Sequence, residues 1–306
     1  MSAERTLIVG GGFLGCALAR ALRYKKRGVT VLSPNTVSSE CLEESLTVKG
    51  RQEDEQLVAT LLREHDAVIH AAWGTTPSSS AAQPATEVTA GLAPWVAFLE
   101  ILQRFPAVQL LFLSSGGTVY GDPDRLPVTE DCPLRPLSCH GAGKAAAELF
   151  LAAQAPTRTA RWIVLRPSNV YGPGQPWRTG FGVLRHLLQC AIEDRPFTLF
   201  GDGSQVRDYL YIDDLANGVL QLLEAPDVSG TYNIGSGVGI SLLDLISLVE
   251  RITGKRLHVE SRPTHEGDVG RIVLDVEKIR EAIGWTPVTS LSEGVTRTWH
   301  WLRNDT

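Results

Sequence analysis

Three glycines near the amino terminus have the spacing of a phosphate cradle. Val9-Gly10-Gly11-Gly12-Phe13-Leu14-Gly15 carries GxGxxG at Gly10, Gly12 and Gly15. At a strand-to-helix junction Gly10 permits a tight turn and Gly12 lets backbone approach a pyrophosphate, while Gly15 lets the helix sit close to the sheet. The first amides of that helix, at Phe13 and Leu14, would then face the phosphates of a dinucleotide. If the ribose of NAD is gripped in the usual way, an acid stands at the end of the next strand. Ser33 occupies that place, followed by Pro34 and Asn35, and no arginine marks a 2′-phosphate site. NAD and NADP both remain open on this motif. His70, Ala71 and Ala72, where the Ala67–His70 run ends, are further expected cofactor contacts.

Other reactive side chains fall in three later segments. Leu113-Ser114-Ser115-Gly116-Gly117-Thr118-Val119-Tyr120-Gly121 sets hydroxyl groups after a strand. His140-Gly141-Ala142-Gly143-Lys144 puts an imidazole and an ammonium four residues apart, opening a helix expected over Ala145–Ala153. Leu165-Arg166-Pro167-Ser168-Asn169-Val170-Tyr171-Gly172-Pro173-Gly174 ends another strand. Cys139 beside His140 makes a poor nucleophile pair, because chain neighbours rarely point at each other. The five cysteines (Cys16, Cys41, Cys132, Cys139, Cys190) are odd in number and show no CxxC or Cys/His spacing. Reduced thiols and no metal site are expected.

These groups need a scaffold. Thr6–Val9, Val29–Leu32, Ala67–His70 and Leu110–Leu113 are short and continuously apolar, as parallel strands covered on both faces must be. Between the first two, Leu14, Leu18, Ala21 and Leu22 have helical spacing, closed by Gly28. Repeated βα units of this length predict an α/β fold with a doubly wound parallel (Rossmann) sheet. After about residue 168 glycine, proline and aromatics become frequent, as in a smaller C-terminal substrate-binding lobe made of loops. Gly230–Gly235 again reads as strand and turn, and Leu242–Ile252 as an amphipathic helix. The expected division is 1–168 as the dinucleotide-binding domain, with 208–236 returning to it, and 169–207 and 237–306 as the substrate lobe.

The 306 residues are 43% hydrophobic, enough for a large core. A net charge of −5 argues against a nucleic-acid partner, since no basic surplus exists to neutralise phosphates. The longest apolar stretches are too short to span a bilayer, so no membrane partner and a cytoplasmic location are expected.

Taken in order, these motifs resemble the extended short-chain dehydrogenase/reductases, and within them the UDP-galactose 4-epimerase-like enzymes. The resemblance continues through Gly201-Asp202-Gly203-Ser204-Gln205-Val206-Arg207-Asp208-Tyr209, Tyr232-Asn233-Ile234-Gly235, Glu266-Gly267-Asp268-Val269 and Ile283-Gly284-Trp285-Thr286-Pro287. It implies NAD as cofactor, a UDP-sugar substrate, a homodimer and a Ser/Thr–Tyr–Lys constellation. In that constellation a tyrosine takes a sugar hydroxyl proton and a lysine supports it and holds the nicotinamide ribose. Lys144 fits the lysine. His140 stands where the tyrosine belongs, and Gly116 where the serine or threonine usually sits. Thr118, matching a second hydroxyl of many family epimerases, could inherit the oxygen-orienting role. Neutral imidazole is a competent base near neutral pH, with Tyr120 as a substitute base and a dead site as the competing readings.

On the sugar-nucleotide side the resemblance assigns Asn169 to the diphosphate or the sugar, Arg207 to the diphosphate and Asp268 to a ribose. A second diphosphate arginine is replaced by His265. Ile272, where hexose-only epimerases can carry tyrosine, would leave room for an N-acetyl group. The implied function is a nucleotide-sugar 4-epimerase for a UDP-hexose or UDP-N-acetylhexosamine, acting through a transient 4-keto intermediate and bound NAD. The alternatives are a 4-ketoreductase using NAD(P)H or a catalytically weak dinucleotide-binding relative. Family dimers would bring together Ala142–Ala153 and part of Ala90–Gln103.

Overall fold

The computed structural model describes residues 5–35, 37, 46–155, 161–178, 182–263 and 269–304. Seven parallel strands form the large sheet in the order β10-β6-β5-β4-β1-β2-β3. They are β1 Arg5–Val9, β2 Gly28–Ser33, β3 Leu46–Lys49, β4 Ala67–His70, β5 Gln109–Leu113, β6 Trp162–Pro167 and β10 Gly230–Ile234. The chain starts in the middle, winds outward to β3, then crosses back to β4. The strand order therefore reverses between β1 and β4, and the carboxyl ends of these strands form the crevice where such sheets bind ligands.

Both faces of the sheet are covered, which explains the unbroken apolar runs. On one face Ile8, Ile69, Leu111 and Ile163 meet Leu18 and Leu22 of the Phe13–Tyr24 helix and Leu215 and Val219 of the Ile212–Glu224 helix. On the other, Leu7, Val68, Leu110 and Phe112 meet Val58 and Leu62 of Glu55–Arg63, Trp95 and Phe98 of Ala93–Leu102, and Ala147 and Leu151 of Cys139–Gln154. Alternate residues of one strand thus serve opposite helix layers.

Several expectations need correction. Gly28 begins β2; the first helix ends at Tyr24 with Lys25 as its C-cap, and Lys26 adopts the left-handed conformation (φ 58°). The helix expected to start at Ala145 starts at Cys139, because the Ser138 hydroxyl accepts the Gly141 amide and caps it despite two glycines in its first turns. The region after 168 is more regular than loops. It holds a four-stranded sheet of β7 Asn169–Tyr171, β9 Val206–Tyr211, β11 Gly239–Ser241 and β13 Arg271–Ile272, and a pair of β8 Phe197–Phe200 with β12 Val259–Arg262. The apolar Tyr209-Leu210-Tyr211 resembles a central strand of the large sheet, but β9 pairs with β7, β11 and β13. The chain returns to the large sheet with the Ile212–Glu224 helix, rather than at 208.

Candidate active site

The glycine turn lies where β1 delivers the chain to the crevice. Gly10 has φ +110°, and a Cβ there would stand 2.6 Å from the Ala72 nitrogen, so the ends of β1 and β4 can approach only with glycine. A Cβ on Gly15 would fall 1.8 Å from the Gly10 carbonyl oxygen, which fixes how closely the helix starts against the turn. Gly12 caps the helix and has no side chain to offer its first amides. A Cβ on Gly12 would meet nothing within 4 Å, so the backbone there faces open space. An uncapped helix N-terminus beside open space fits a pyrophosphate. Ala71 follows β4, its amide donating to the Val9 carbonyl. Ser33 is buried and its hydroxyl accepts the Asn35 amide at 3.3 Å, a local turn contact. His70 departs from expectation. Its imidazole is wholly buried among Trp95, Phe98 and Phe112 and bonds Gln52 at 2.7 Å. Burial, then the nearby Lys144 charge, hold its pKa well below the usual value. His70 is a neutral core residue; only its backbone belongs to the sheet edge.

His140 and Lys144 sit one helical turn apart and share a buried acidic partner. Glu87 opens a π-helical turn, Glu87–Leu92, that runs into Ala93–Leu102. Its carboxylate is 3% exposed. It accepts from Trp73 Nε1 at 2.7 Å, from Thr75 Oγ1 at 2.5 Å and from the Ser80 hydroxyl. His140 Nδ1 stands 3.7 Å from Glu87 Oε1 and 3.4 Å from Thr75 Oγ1. Burial alone would raise the Glu87 pKa; its interactions with His140, Ser80, Thr75 and Trp73 outweigh it and bring it to about 2. The carboxylate is therefore ionised at neutral pH.

Lys144 Nζ donates to the Leu113 carbonyl at 2.8 Å and lies 4.1 Å from the Trp73 ring centroid and 4.9 Å from that of Phe112. Burial lowers its pKa to about 7, against Glu87 and Glu148, which raise it. The amine can thus exchange a proton close to neutrality.

The Tyr120 alternative fails on its bonding. Its hydroxyl donates to Asn233 Oδ1 at 2.6 Å and accepts from Arg166 at 2.8 Å. Burial pushes its pKa up to about 12. Arg166 also holds Glu148, which accepts from the Ser114 hydroxyl, so Tyr120 is one member of a closed buried network. Thr118 remains partly accessible, its hydroxyl donating to the Ser115 carbonyl at 3.5 Å, and its backbone oxygen rests against Gly141 at the start of the His140 helix. Gly116 has a packing reason: a Cβ would stand 2.6 Å from Leu274 and 2.9 Å from the Arg166 carbonyl.

On the far side of the cleft, Asn169 donates to the Asp208 carbonyl at 3.0 Å and faces Gly117. The Arg207 guanidinium bonds the carbonyls of Val206, Val269 and Gly270. It thus stands where the chain emerges from 264–268; Asp268 and His265 lie outside the described residues. Ile272 corrects an expectation. It is 1% exposed, in a cluster with Val119, Tyr120, Val128, Ala145 and Leu274, so it is core rather than an open pocket wall. The structure brings His140, Lys144 and Thr118 together, with Asn169 facing the same glycine loop; Arg207 is anchored to backbone beyond them.

The sequence profile of the NAD-dependent epimerase/dehydratase family matches residues 6–235. The chain belongs to this family. A UDP-glucose 4-epimerase of Mycolicibacterium smegmatis is 30% identical over 309 aligned residues, covering 98% of this chain and 99% of that protein. The solved UDP-glucose 4-epimerase of Thermotoga maritima, with UDP-glucose, superposes at a TM-score of 0.92 and 30% identity, covering 98% of this chain and 99% of that one. The Thermus thermophilus enzyme, in complex with NAD, gives 0.91 and 30%, covering 99% and 100%.

Within this epimerase/dehydratase frame, the reading of the residues missed Glu87 and its donors Trp73, Thr75 and Ser80. One signal was present. Between Asp66 and Glu100, Glu87 is the single ionised side chain, His70 aside, in a stretch otherwise apolar or neutral. An isolated acid in such a stretch is a candidate for burial with partners. Among the described residues no group of three or more His, Cys, Asp or Glu could hold a metal ion, and no helix is long and apolar enough to cross a membrane. Cys132, Cys139 and Cys190 are free thiols, and Cys16 Sγ donates to the Gly11 carbonyl at 3.4 Å; Cys41 lies outside the described residues.

Proposed function

We propose that this protein is a nucleotide-sugar 4-epimerase acting on a UDP-hexose or UDP-N-acetylhexosamine through a transient 4-keto intermediate. The observation that carries this reading is the His140–Lys144 pair at the same sheet edge as the open glycine turn, in a chain that matches UDP-glucose 4-epimerases over almost its whole length. When bound, NAD supplies the group that takes a hydride from the sugar and gives it back. Gly10, Gly12, Phe13, Leu14 and Gly15 would hold its pyrophosphate, Ser33, Ala71 and Ala72 its adenosine side, and Lys144 the nicotinamide ribose.

The chain's own chemistry is proton transfer. His140 Nε2 takes the proton of the sugar hydroxyl and returns it, and Thr118 orients that oxygen. Asn169, Arg207 and Asp268 hold the nucleotide. The test is native mass spectrometry of the purified protein for carried NAD, followed by NMR of UDP-glucose and UDP-N-acetylglucosamine with the protein. Appearance of the 4-epimer without added cofactor supports the reading. Stoichiometric oxidation of NADPH with a UDP-4-keto-sugar, and no epimerisation of either UDP-sugar, would make the protein a ketoreductase instead.

The partner we propose is a second copy of the chain. On the Cys139–Gln154 helix, Ala142, Leu149, Phe150 and Ala153 are exposed and Ala146 is half-buried, a stripe at helical spacing. Leu149 is 66% and Phe150 45% exposed, and Val88 beside the neighbouring helix is 57% exposed. Of the alanines at 145–147, only Ala146 belongs to this stripe. Phe150→Glu should turn a dimer into a monomer by light scattering. The same reading expects a cytoplasmic protein.

A further inference from the structure

The hydrogen-bond roles around His140 define which of its nitrogens is free. Thr75 has one hydroxyl proton, and the 2.5 Å contact commits it to the Glu87 carboxylate. Toward His140 the Thr75 oxygen can therefore only accept. Glu87, ionised, can also only accept. These two oxygens, at 3.4 and 3.7 Å, face Nδ1 of His140. No described residue hydrogen-bonds Nε2, while the side chain keeps 11% exposure. A ring nitrogen facing two acceptors must carry a proton, and a neutral imidazole then holds its lone pair on the other nitrogen.

We propose that Glu87, through Thr75, fixes His140 with its proton on Nδ1, so that Nε2 is the atom that accepts the sugar hydroxyl proton. Glu87 is a positioning residue. When Nε2 takes that proton, the imidazolium has a buried carboxylate on its opposite side, and no side chain must move to stabilise it. The 3.4 and 3.7 Å separations are long for hydrogen bonds, as ligand-free sites often are before they tighten around substrate. The backbone accommodates the pair at both ends. The π-helical turn sets Glu87 against the Cys139–Gln154 helix, and Gly143 leaves the space its carboxylate fills. The catalytic consequence rests on the epimerase reading; the tautomer does not.

The experiment therefore has two arms. Ring ¹⁵N shifts of labelled histidine are recorded above the pH at which the ring titrates, with His140 assigned by the signal lost in His140→Ala. Wild type should show Nδ1 protonated and Nε2 unprotonated; the opposite tautomer overturns the proposal, whatever the protein turns over. In the second arm Glu87→Gln should lower kcat roughly 10–10³-fold with KM changed less than about 3-fold. Thr75→Val should lower kcat at least about 10-fold, whereas Thr75→Ser, which keeps the hydroxyl, should stay within about 3-fold of wild type. If Glu87→Gln does not fold, the wild-type tautomer and the Thr75 pair still decide. A folded Glu87→Gln with wild-type kcat, or equal losses in Thr75→Val and Thr75→Ser, overturns the positioning role. A wild type without epimerase turnover defeats the epimerase reading, and the tautomer alone then decides this one.

Discussion

Glu87 and Gly143 are complementary: a Cβ on Gly143 would stand 2.4 Å from Glu87 Oε1 and 2.7 Å from its Cγ. The carboxylate is held by Trp73, Thr75 and Ser80 and cannot simply swing away. Gly143→Ala should therefore push Glu87 off its donors and away from His140. Alanine in a helix interior gains about 1 kcal/mol over glycine, while overpacking costs about 1–3 kcal/mol. The net change in urea unfolding should be a loss of about 0–2 kcal/mol. Turnover should fall further than stability does. A stabilised Gly143→Ala protein with full activity would show that the contact yields without consequence.

The glycine turn separates fold from ligand. Gly15→Ala places a methyl 1.8 Å from a backbone oxygen, which has no rotamer to escape through. It should destabilise the protein by about 1–3 kcal/mol or more. Gly12→Val meets open space and has φ −85°, which any residue adopts. It should cost no more than about 1 kcal/mol as a changed cap. Yet its isopropyl group would occupy the position of the pyrophosphate, so dinucleotide binding by calorimetry should be lost. Normal NAD and NADP affinity in Gly12→Val would remove the phosphate from this turn.

How far the sequence disclosed this site follows from what each signal depends on. Strands β1, β2, β4 and β5 were legible because burial on both faces writes a continuous apolar run. The edge strand β3, Leu46–Lys49, was not, since it is short and polar at alternate positions. His140, Lys144 and Thr118 stand out as candidates because their motifs are local. Glu87 does not, because its role arises only where a π-helical turn meets a helix more than fifty positions later. Ile272 and His70 were misread for the converse reason. Their positions along the chain matched a ligand site, but the direction of each side chain is set by packing, with Tyr120 and Val119 for one and Trp95 and Phe112 for the other.

Tyr120 and His140 make opposite predictions. Tyr120→Phe removes the donor to Asn233 and one acceptor of Arg166, leaving buried polar atoms short of a partner. It should lower unfolding free energy by about 1–3 kcal/mol, with kcat changed little. His140→Ala removes the proposed base and should lower kcat roughly 10²–10⁴-fold, with a smaller effect on stability. His140→Tyr should retain activity, since a tyrosine phenolate, stabilised by the Lys144 ammonium one turn on, can accept the same proton. Loss of turnover in Tyr120→Phe at unchanged stability would transfer the base to Tyr120.

Lys144 links stability to pH, and the sign follows from its two states. In the fold its pKa is lowered to about 7; in the unfolded chain it returns to about 10.4. Below about pH 7 both states hold the proton, and the fold bears the full cost of a buried ammonium. Between the two values only the unfolded chain holds it, so stability rises with pH, by up to about 1.4 kcal/mol per pH unit. Above the unfolded value neither state is charged and the rise ends. Lys144→Met deletes this titration while filling similar space. The difference in unfolding free energy, wild type minus Lys144→Met, should therefore grow in favour of wild type from about pH 7 to about pH 10, by up to about 4 kcal/mol. Urea unfolding of both proteins across that range measures it, other groups cancelling between the two. A difference that stays flat would mean that Glu87 and Glu148 keep the ammonium charged inside the fold. Lys144 would then act through its charge alone, and could not relay a proton near neutral pH.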